Sequence, residues 1–377
     1  MTYIKLPGFL LFIIFLIHPV QAQDQPDFFG AVRIGYSTFQ EIDNEVYFAD
    51  RATNEMQARI HLGLRWQATS QIRFTGRLAG RLSTRDEPLT FEMKSYTPGS
   101  GSIPRNTFIF DTLQLAWSPN ENLTLTAGRM QPRFSLAGMI PKGFDRYFGA
   151  NMSIGFSDGL WLNWRFNDNY RLHLIASYNS PDGSSHAART PMDFSKSSSR
   201  VTGYAQIEHT DTDGLWAQRE LSVSWNPSTL SHISSTGDYL AITTRWMMNL
   251  PFDISWTNLT AGGELGYAPT TPNRDIYSED DDLRENGAFA WQISGYINNV
   301  LDRHTLGILY GEAEPGWLIS SSFEPNVTMF EVRYQYIIAS NISTEVRYRY
   351  RTPKQDGLSK NVRSRISDIY ARVTFRF

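Results

Sequence analysis

The sequence predicts an all-β protein: a transmembrane antiparallel β-barrel of about 16 strands, with short periplasmic turns and long extracellular loops. The last nine residues, 369–377, alternate strictly between apolar and polar and end on an aromatic residue, as in a strand with one lipid face and one wet face. Connections between the candidate strands alternate between short and long. Beyond the N-terminus, no apolar run approaches the ~20 residues that a spanning helix needs.

The first 22 residues have the features of a secretory signal peptide. Lys5 precedes an apolar run over 9–17, and a small-residue cleavage site ends at Ala22. The run is too short to span a membrane as a helix, although a retained membrane anchor is the alternative. We therefore predict that residues 1–22 are cleaved and that residues 23–377 form a single barrel in the outer membrane of a Gram-negative bacterium.

Alternation places sixteen candidate strands along the chain, and the even number puts both termini on the periplasmic side. Asn258 and the pair Gly262-Gly263 break the alternation in one of them and suggest a β-bulge there. The predicted strands are 29–39, 57–68, 71–83, 107–117, 122–130, 153–166, 169–178, 200–209, 218–226, 238–248, 252–267, 287–297, 304–313, 327–338, 341–351 and 363–377.

Charge decides which face of each strand points outward. One face carries aliphatic and aromatic side chains, for example Leu160, Leu162 and Trp164, and the opposite face carries the arginines. Because an arginine in contact with lipid destabilises a barrel, the apolar face is expected to point outward. A soluble exported β-protein is the alternative, but it would not place apolar residues on the outer face of strand after strand. An aromatic content of 14% is typical of strands and of interfacial girdles.

Composition excludes several kinds of site. The chain has no cysteine and therefore neither a disulfide framework nor a thiolate site. Its net charge of −3 argues against nucleic acid as a partner. Metalloprotease, serine-hydrolase and phosphate-loop motifs do not occur, so we expect no enzyme and no cofactor or metal. The acidic stretch Asp275–Glu285 lacks the ligand spacing of a calcium site and is interpreted as a solvated loop.

Inward-facing arginines recur on the first three and the last three predicted strands, which become one wall when the barrel closes. The inward carboxylates predicted there are Glu331, Glu345 and Asp368, so the wall is expected to be net positive and to favour anions. The alternative is that the arginines neutralise carboxylates on loops or solubilise the lumen. The wall consists of Arg33, Arg59, Arg65, Arg73, Arg77, Arg81, Arg333, Arg347, Arg349, Arg372 and Arg376.

The third long connection, residues 131–152, is apolar and aromatic for a loop in water. Such a segment is expected to fold into the barrel and narrow the pore. There its basic residues Arg133, Lys142 and Arg146 would act at the constriction. The alternative is an outward loop that packs on a neighbouring subunit.

Two segments carry a resemblance to a known family. The stretch Leu125-Thr-Ala-Gly-Arg-Met-Gln-Pro-Arg-Phe-Ser-Leu136, followed by Phe144-Asp-Arg146, resembles the phosphate-selective porin family of Gram-negative bacteria. Arg133, inserted between Pro132 and Phe134, departs from that pattern. The C-terminal aromatic strand resembles the signal that barrel-assembly machinery reads. The resemblance implies a homotrimeric outer-membrane porin in contact with lipid that passes small solutes, among them anions such as phosphate or organic acids.

The sequence therefore predicts a porin for small hydrophilic solutes with a preference for anions. One alternative is a porin for sugars or organic acids without strong anion selectivity. A second alternative is a barrel without conductance that serves adhesion or assembly, and an outer-membrane hydrolase is the least favoured. Candidate residues for binding sugars or organic acids are Tyr204, Tyr296, Trp161, Gln206 and Gln292.

Overall fold

The computed structural model describes residues 25–43, 51–84, 90–91, 106–134, 136, 143–144, 156–179, 200–211, 214–230, 236–252, 257–271, 287–320, 323, 325–354 and 364–377. The predicted signal peptide and the acidic stretch Asp275–Glu285 lie outside these ranges. Lys142 and Arg146 of the predicted constriction loop also lie outside them.

Within these ranges, sixteen strands form one sheet in which every strand is antiparallel to its neighbours. A two-residue segment, Thr90–Phe91, adds a short parallel pairing to the start of the fourth strand. None of the described residues belongs to a helix long and apolar enough to cross a membrane. The strands are β1 (Asp27–Asp43), β2 (Arg51–Gln67), β3 (Ile72–Ser83), β4 (Thr107–Asn120), β5 (Leu123–Met130), β6 (Ser157–Arg165), β7 (Tyr170–Asn179), β8 (Arg200–Thr210), β9 (Gln218–Leu230), β10 (Thr236–Asn249), β11 (Asn258–Thr270), β12 (Ala288–Val300), β13 (His304–Ala313), β14 (Val327–Ala339), β15 (Ile342–Pro353) and β16 (Ser364–Arg376).

The sheet closes into a barrel because the last strand pairs with the first, with Ile34 on β1 opposite Val373 on β16. The C-terminal residue belongs to this seam: Gly30 donates its N–H to the Phe377 carbonyl at 2.8 Å, and Phe377 donates to the Gly30 carbonyl at 3.1 Å. A Cβ on Gly30 would lie 2.4 Å from the Phe377 ring, so the seam needs glycine there. The predicted antiparallel barrel of 16 strands is confirmed.

Side chains alternate between two environments along the strands. The outward positions carry large apolar residues such as Phe28, Leu62, Trp164 and Ile293, which are 45% to 77% exposed. The inward positions carry buried arginines, carboxylates, amides and hydroxyls. An apolar surface that surrounds the whole barrel is stable in hydrocarbon and unstable in water, so the fold is that of a membrane-spanning barrel.

Short and long connections leave the barrel at opposite ends, which we call the turn end and the loop end. The start of β1 and the end of β16 lie at the turn end, where the short connections join β2 to β3, β4 to β5, β6 to β7, β8 to β9, β10 to β11, β12 to β13 and β14 to β15. The first and fifth long connections are shorter than predicted, because β1, β2, β9 and β10 extend further towards the loop end than the sequence indicated.

The strand predicted at 252–267 is wrong in its boundaries, because β11 covers Asn258–Thr270. Pro251 has no N–H to donate to a ladder, and Phe252 donates its N–H back to the Leu250 carbonyl at 2.8 Å. The chain therefore turns at 250–252 and cannot begin the strand there.

The β-bulge predicted at Gly262-Gly263 is also wrong. The register is regular through both glycines, and the Trp246 ring fills the space above Gly263, 2.6 Å from where a Cβ would be. The irregularity lies nearer the loop end, beside Pro269, where β11 carries one residue more than β10.

One side of the barrel interior is filled by an apolar cluster. Leu136 and Phe144, from the connection between β5 and β6, pack there against Trp317 and Phe323, from the connection between β13 and β14. Inward side chains of β10 and β12–β14 complete the cluster. The charged residues discussed below lie mainly on the other side, along β14–β16 and β1–β4.

Candidate functional site

A cavity of about 350 Å³ lies on the charged side of the barrel interior. Its walls combine four guanidinium groups with two aromatic rings, two amides and two hydroxyls, and no carboxylate of the described residues lines it. We call it the arginine cavity. The lining residues are Phe29, Arg65, Arg73, Thr75, Arg77, Thr112, Gln114, Gln131, Arg133 and Trp161.

The register between β1 and β2 shapes one flank of the cavity. Phe29 lies opposite Gly63, and its ring occupies the space beside Gly63, 2.4 Å from where a Cβ would be. Arg65 places its guanidinium over this ring, 4.9 Å from the centroid, and donates to Asp27 at 3.2 Å. The Arg65 side chain stays 47% exposed, so the ion pair leaves most of its donors accessible.

A β-bulge sets the charge at the centre of the cavity. The register between β3 and β4 shifts after Arg77, and this turns Asp111 and Thr112 inward in succession. The Nε and Nη2 atoms of Arg77 donate to the two carboxylate oxygens of Asp111 at 2.8 and 2.9 Å. The Asp111 side chain is completely buried, so it holds Arg77 from behind without facing the cavity.

Gln131 connects the barrel wall to the segment that follows β5. Its side-chain oxygen accepts hydrogen bonds from Arg77 and from Arg133, the latter at 3.1 Å. Arg77 and Arg133 thus share one uncharged acceptor. Because each guanidinium has five N–H donors, this acceptor and Asp111 occupy only some of them. The arrangement leaves donors of both arginines for a ligand in the cavity.

A second group of arginines lies closer to the loop end. Strand register places Arg33 opposite Arg59 and Arg59 opposite Arg81, so three like charges sit side by side on adjacent strands. Arg59 donates its Nε–H to His61 at 2.9 Å, and Arg81 donates to Gln57 at 3.3 Å. Because Arg33 and Arg59 are neighbours, their like charges repel each other.

Five arginines of β14–β16 are arranged differently, because each of these five meets a carboxylate. Arg333 bonds Glu331 at 2.6 Å, and Arg349 bonds Asp368 at 2.7 Å. Arg347 also bonds Asp368, at 2.5 Å. Arg372 pairs with Glu345 at 2.7 Å and Arg351 with Asp368 at 3.7 Å. Longer contacts of 3.4 Å from Arg333 to Glu345 and 3.9 Å from Arg347 to Glu331 connect these pairs. This part of the predicted wall is a network of ion pairs.

The segment after β5 is held inside the barrel at two points. Arg245 donates to the Phe134 carbonyl at 2.9 Å, and Glu264 accepts the Phe144 N–H at 2.9 Å. The Trp317 indole donates to the Phe144 carbonyl at 3.2 Å. These bonds tie the described residues of the segment to β10, β11 and the connection between β13 and β14.

An aromatic group fixes the same segment beside the cavity. The Phe134 ring stacks on Tyr204, with 5.4 Å between centroids, and meets Trp161 edge-on at 6.0 Å. The Trp161 indole donates to Nδ1 of His173 at 3.2 Å. The orientation of Trp161 on the cavity wall is thereby fixed from behind.

The structure gathers only part of the predicted set around one space. Arg65, Arg73, Arg77 and Arg133 line the arginine cavity, whereas Arg376 is exposed at the turn end. Lys142 and Arg146 fall outside the described residues, and their predicted role is not tested.

Most of the residues that suggested sugar binding are covered. Tyr204, Tyr296, Gln206 and Gln292 are at most 7% exposed, because they lie beneath the packed segments of the interior. Trp161 is the member of that set that lines the arginine cavity. Among the described residues, no group of three metal-ligating side chains is found.

Sequence reasoning missed several acidic residues of the charged side. Asp27 and Glu55 were overlooked because the predicted first and second strands began too late. Asp111 was overlooked because strict alternation does not allow for a bulge. A single carboxylate within the apolar stretch Phe108–Leu113 is the signal that could have revealed the bulge. Phe29 and Gln131 carried no such signal, since only the strand register and the path of the chain bring them to the cavity.

Comparisons with known proteins agree with this architecture. No protein-family model matches the chain, and no curated protein matches it. Among solved structures, OprB of Pseudomonas putida shares 8% identity with a TM-score of 0.60, covering 93% of this chain and 94% of OprB. The outer membrane channel DcaP of Acinetobacter baumannii shares 13% identity with a TM-score of 0.54, covering 94% of this chain and 97% of DcaP. A mutant of Rh. blastica porin shares 11% identity with a TM-score of 0.52, covering 94% of this chain and 100% of the porin. The chain is similar to outer-membrane porins in fold.

Proposed function

We propose that this chain is an outer-membrane porin through which small hydrophilic solutes diffuse, with a preference for anions. The observation that carries the proposal is the arginine cavity, where four guanidinium groups converge. Fixed positive charge between low-dielectric walls concentrates anions and raises their rate of entry. Arginine stays charged and can bind a phosphate or a carboxylate through two donors at once.

The proposal includes the location and assembly of the protein. Residues 1–22 would direct export and be removed, and the barrel would assemble as a homotrimer in the outer membrane of a Gram-negative bacterium. The apolar outer face and the fold shared with porins support the membrane location. We propose transport, and no catalysis, as the role of the interior.

The described part of the connection between β5 and β6 supports its role as a constriction. Phe134 and Phe144 are buried against inward-facing residues, and Arg133 stands at the edge of the arginine cavity. A segment anchored in this way narrows the route past the cavity. It also adds the charge of Arg133 to that of the wall.

The test is the reversal potential of the purified protein in a planar bilayer under a KCl gradient. We expect the sign that corresponds to chloride preference. Replacing both Arg73 and Arg133 with Gln should lower the chloride-to-potassium permeability ratio by about tenfold or more. Each unit charge about 6 Å from the ion changes the local chloride concentration about threefold in a water-like medium and changes that of potassium in the opposite sense. The matched control is Arg219→Gln, on the outer face. Potassium preference in the unchanged protein would refute the proposed anion preference, whereas the proposal that the barrel is a pore would stand.

A barrel without conductance that serves adhesion or assembly is the second candidate. The apolar cluster around Phe144 and Trp317 favours it, because side chains already occupy one side of the interior. The same bilayer recordings separate the two candidates. A correctly folded barrel that never conducts would replace the porin proposal with this one.

A further inference from the structure

We propose that the arginine cavity binds small organic acids in which a flat ring stands next to the carboxylate, with benzoate as the simplest example. This inference rests on the proposed function, since it names the class of anion that the basic site of the pore would hold. Four features of the cavity lead to it: its size, its cationic centre, the row of residues that connects this centre with an aromatic ring, and the fixed position of that ring.

The size of the cavity exceeds the needs of an inorganic anion. At about 350 Å³ it falls in the range of pockets that hold small organic molecules. A water molecule takes about 30 Å³ in the liquid, so the cavity has room for about a dozen such groups. A benzoate-sized solute, with nine non-hydrogen atoms, fills more of it than inorganic phosphate, with five.

The cationic centre suits a carboxylate. Arg73 and Arg77 leave β3 on the same face four residues apart, and Arg133 approaches from the segment after β5. Because Arg77 is already held by Asp111 and Gln131, its remaining donors point in a fixed direction. A carboxylate can then accept two hydrogen bonds without reorganising the site.

A row of paired residues connects Arg73 with an aromatic ring on the opposite wall of the cavity. Strand register places Arg73 opposite Ala116, Ala116 opposite Thr126 and Thr126 opposite Trp161. These four residues form one row across β3 to β6, and the two in the middle have small side chains. Three strand spacings separate the ends of the row by about 14 Å. Arg73 and Trp161, the long side chains at the two ends of the row, both line the cavity.

The ring at the end of this row is held in place before a solute arrives. The Trp161 indole is bonded to His173, and the edge contact with Phe134 supports its ring. A fixed aromatic face loses little entropy when a second ring stacks on it. At the other end of the cavity, the Arg65 guanidinium lies over the Phe29 ring. A contact between a guanidinium and an aromatic ring is therefore already present on the cavity wall.

The experiment measures block of the chloride current through the full barrel by four probes: benzoate, cyclohexanecarboxylate, acetate and inorganic phosphate. Cyclohexanecarboxylate matches benzoate in charge and approximate size but lacks the flat ring. We expect the half-blocking concentration of benzoate to be about 3- to 10-fold lower than that of cyclohexanecarboxylate, the range that aromatic stacking provides. Acetate should block more weakly than either.

Two variants test the roles of the ring and of the charge separately. Trp161→Leu should bring the half-blocking concentrations of benzoate and cyclohexanecarboxylate together, whereas Trp164→Leu on the outer face should leave their ratio unchanged. Arg73→Gln should weaken the block by both acids by a similar factor, because it removes charge and no ring. If Trp161→Leu does not fold, Arg73→Gln still tests whether the two acids bind in the cavity.

The outcomes separate this inference from the proposed function. Equal block by benzoate and cyclohexanecarboxylate, or tightest block by phosphate, in a channel that prefers chloride would overturn the inference alone. A channel that prefers potassium and is blocked by none of the four anions would overturn both.

Discussion

Asp111→Asn is the substitution that best tests how the arginine cavity controls anions. Asp111 is completely buried and holds Arg77 by two hydrogen bonds of 2.8 and 2.9 Å. The asparagine is nearly isosteric and keeps one acceptor oxygen, but the negative charge behind Arg77 is lost. The cavity therefore gains one unit of positive charge.

The size of the effect follows from Coulomb's law. For an anion about 6 Å from the altered charge, the interaction amounts to about 0.7 kcal/mol in a water-like medium and about 3 kcal/mol at an effective dielectric constant of 20. Physiological salt screens charges over about 8 Å, which favours the lower part of this range in a wet cavity. We expect anion affinity to rise about 3- to 10-fold. Loss of the paired charge should also destabilise the barrel by about 1–3 kcal/mol.

The assay is block of the chloride current by inorganic phosphate in planar bilayers. Asp111→Asn should lower the half-blocking concentration of phosphate and prolong each blocking event, because an ion bound more tightly leaves more slowly. The matched control is Asp158→Asn. Asp158 likewise holds an arginine, Arg129, by two bonds of 2.8 and 3.1 Å, but Arg129, unlike Arg77, does not line the cavity.

The comparison of the two variants can refute the reasoning. If Asp111→Asn and Asp158→Asn change phosphate block equally, the charge behind Arg77 does not act on ions in the pore. A weaker block by phosphate in Asp111→Asn alone would also contradict the prediction. It would show that Asp111 positions Arg77 for anion binding and that the Asp111 charge does not weaken this binding.

Two further substitutions test the packing around the cavity. Arg245→Met removes the hydrogen bond to the Phe134 carbonyl and should increase open-channel current noise, because the anchored segment gains freedom; Arg219→Met on the outer face should leave the noise unchanged. Gly63→Val should lower single-channel conductance and destabilise the barrel by about 1–3 kcal/mol in a thermal unfolding assay, because the new side chain pushes the Phe29 ring into the cavity. Normal conductance in the Gly63 variant would show that this flank does not limit ion flow.

The sequence by itself determined the class of fold, and the reason is local. Lipid on one side and water on the other impose a period of two on every strand, so alternation is visible in each segment alone. The strand at 304–313 was predicted with the boundaries that it has in the structure. Errors arose where backbone chemistry interrupts the pattern, as Pro251 does before β11 and Pro269 does near its end.

The sequence also showed which side of the barrel carries the arginines, but only the tertiary structure decided what each of them does. Arg349 lies directly opposite Asp368 because of the register between β15 and β16, and its charge is therefore paired. Arg73 lies opposite the uncharged Ala116, and its side chain lines the cavity. Alternation fixes the face of the barrel on which a residue lies, whereas its neighbours depend on strand register, on one bulge at Asp111 and on a segment that returns from the loop end. These are relations between residues distant in the chain, so they arise only when the barrel closes.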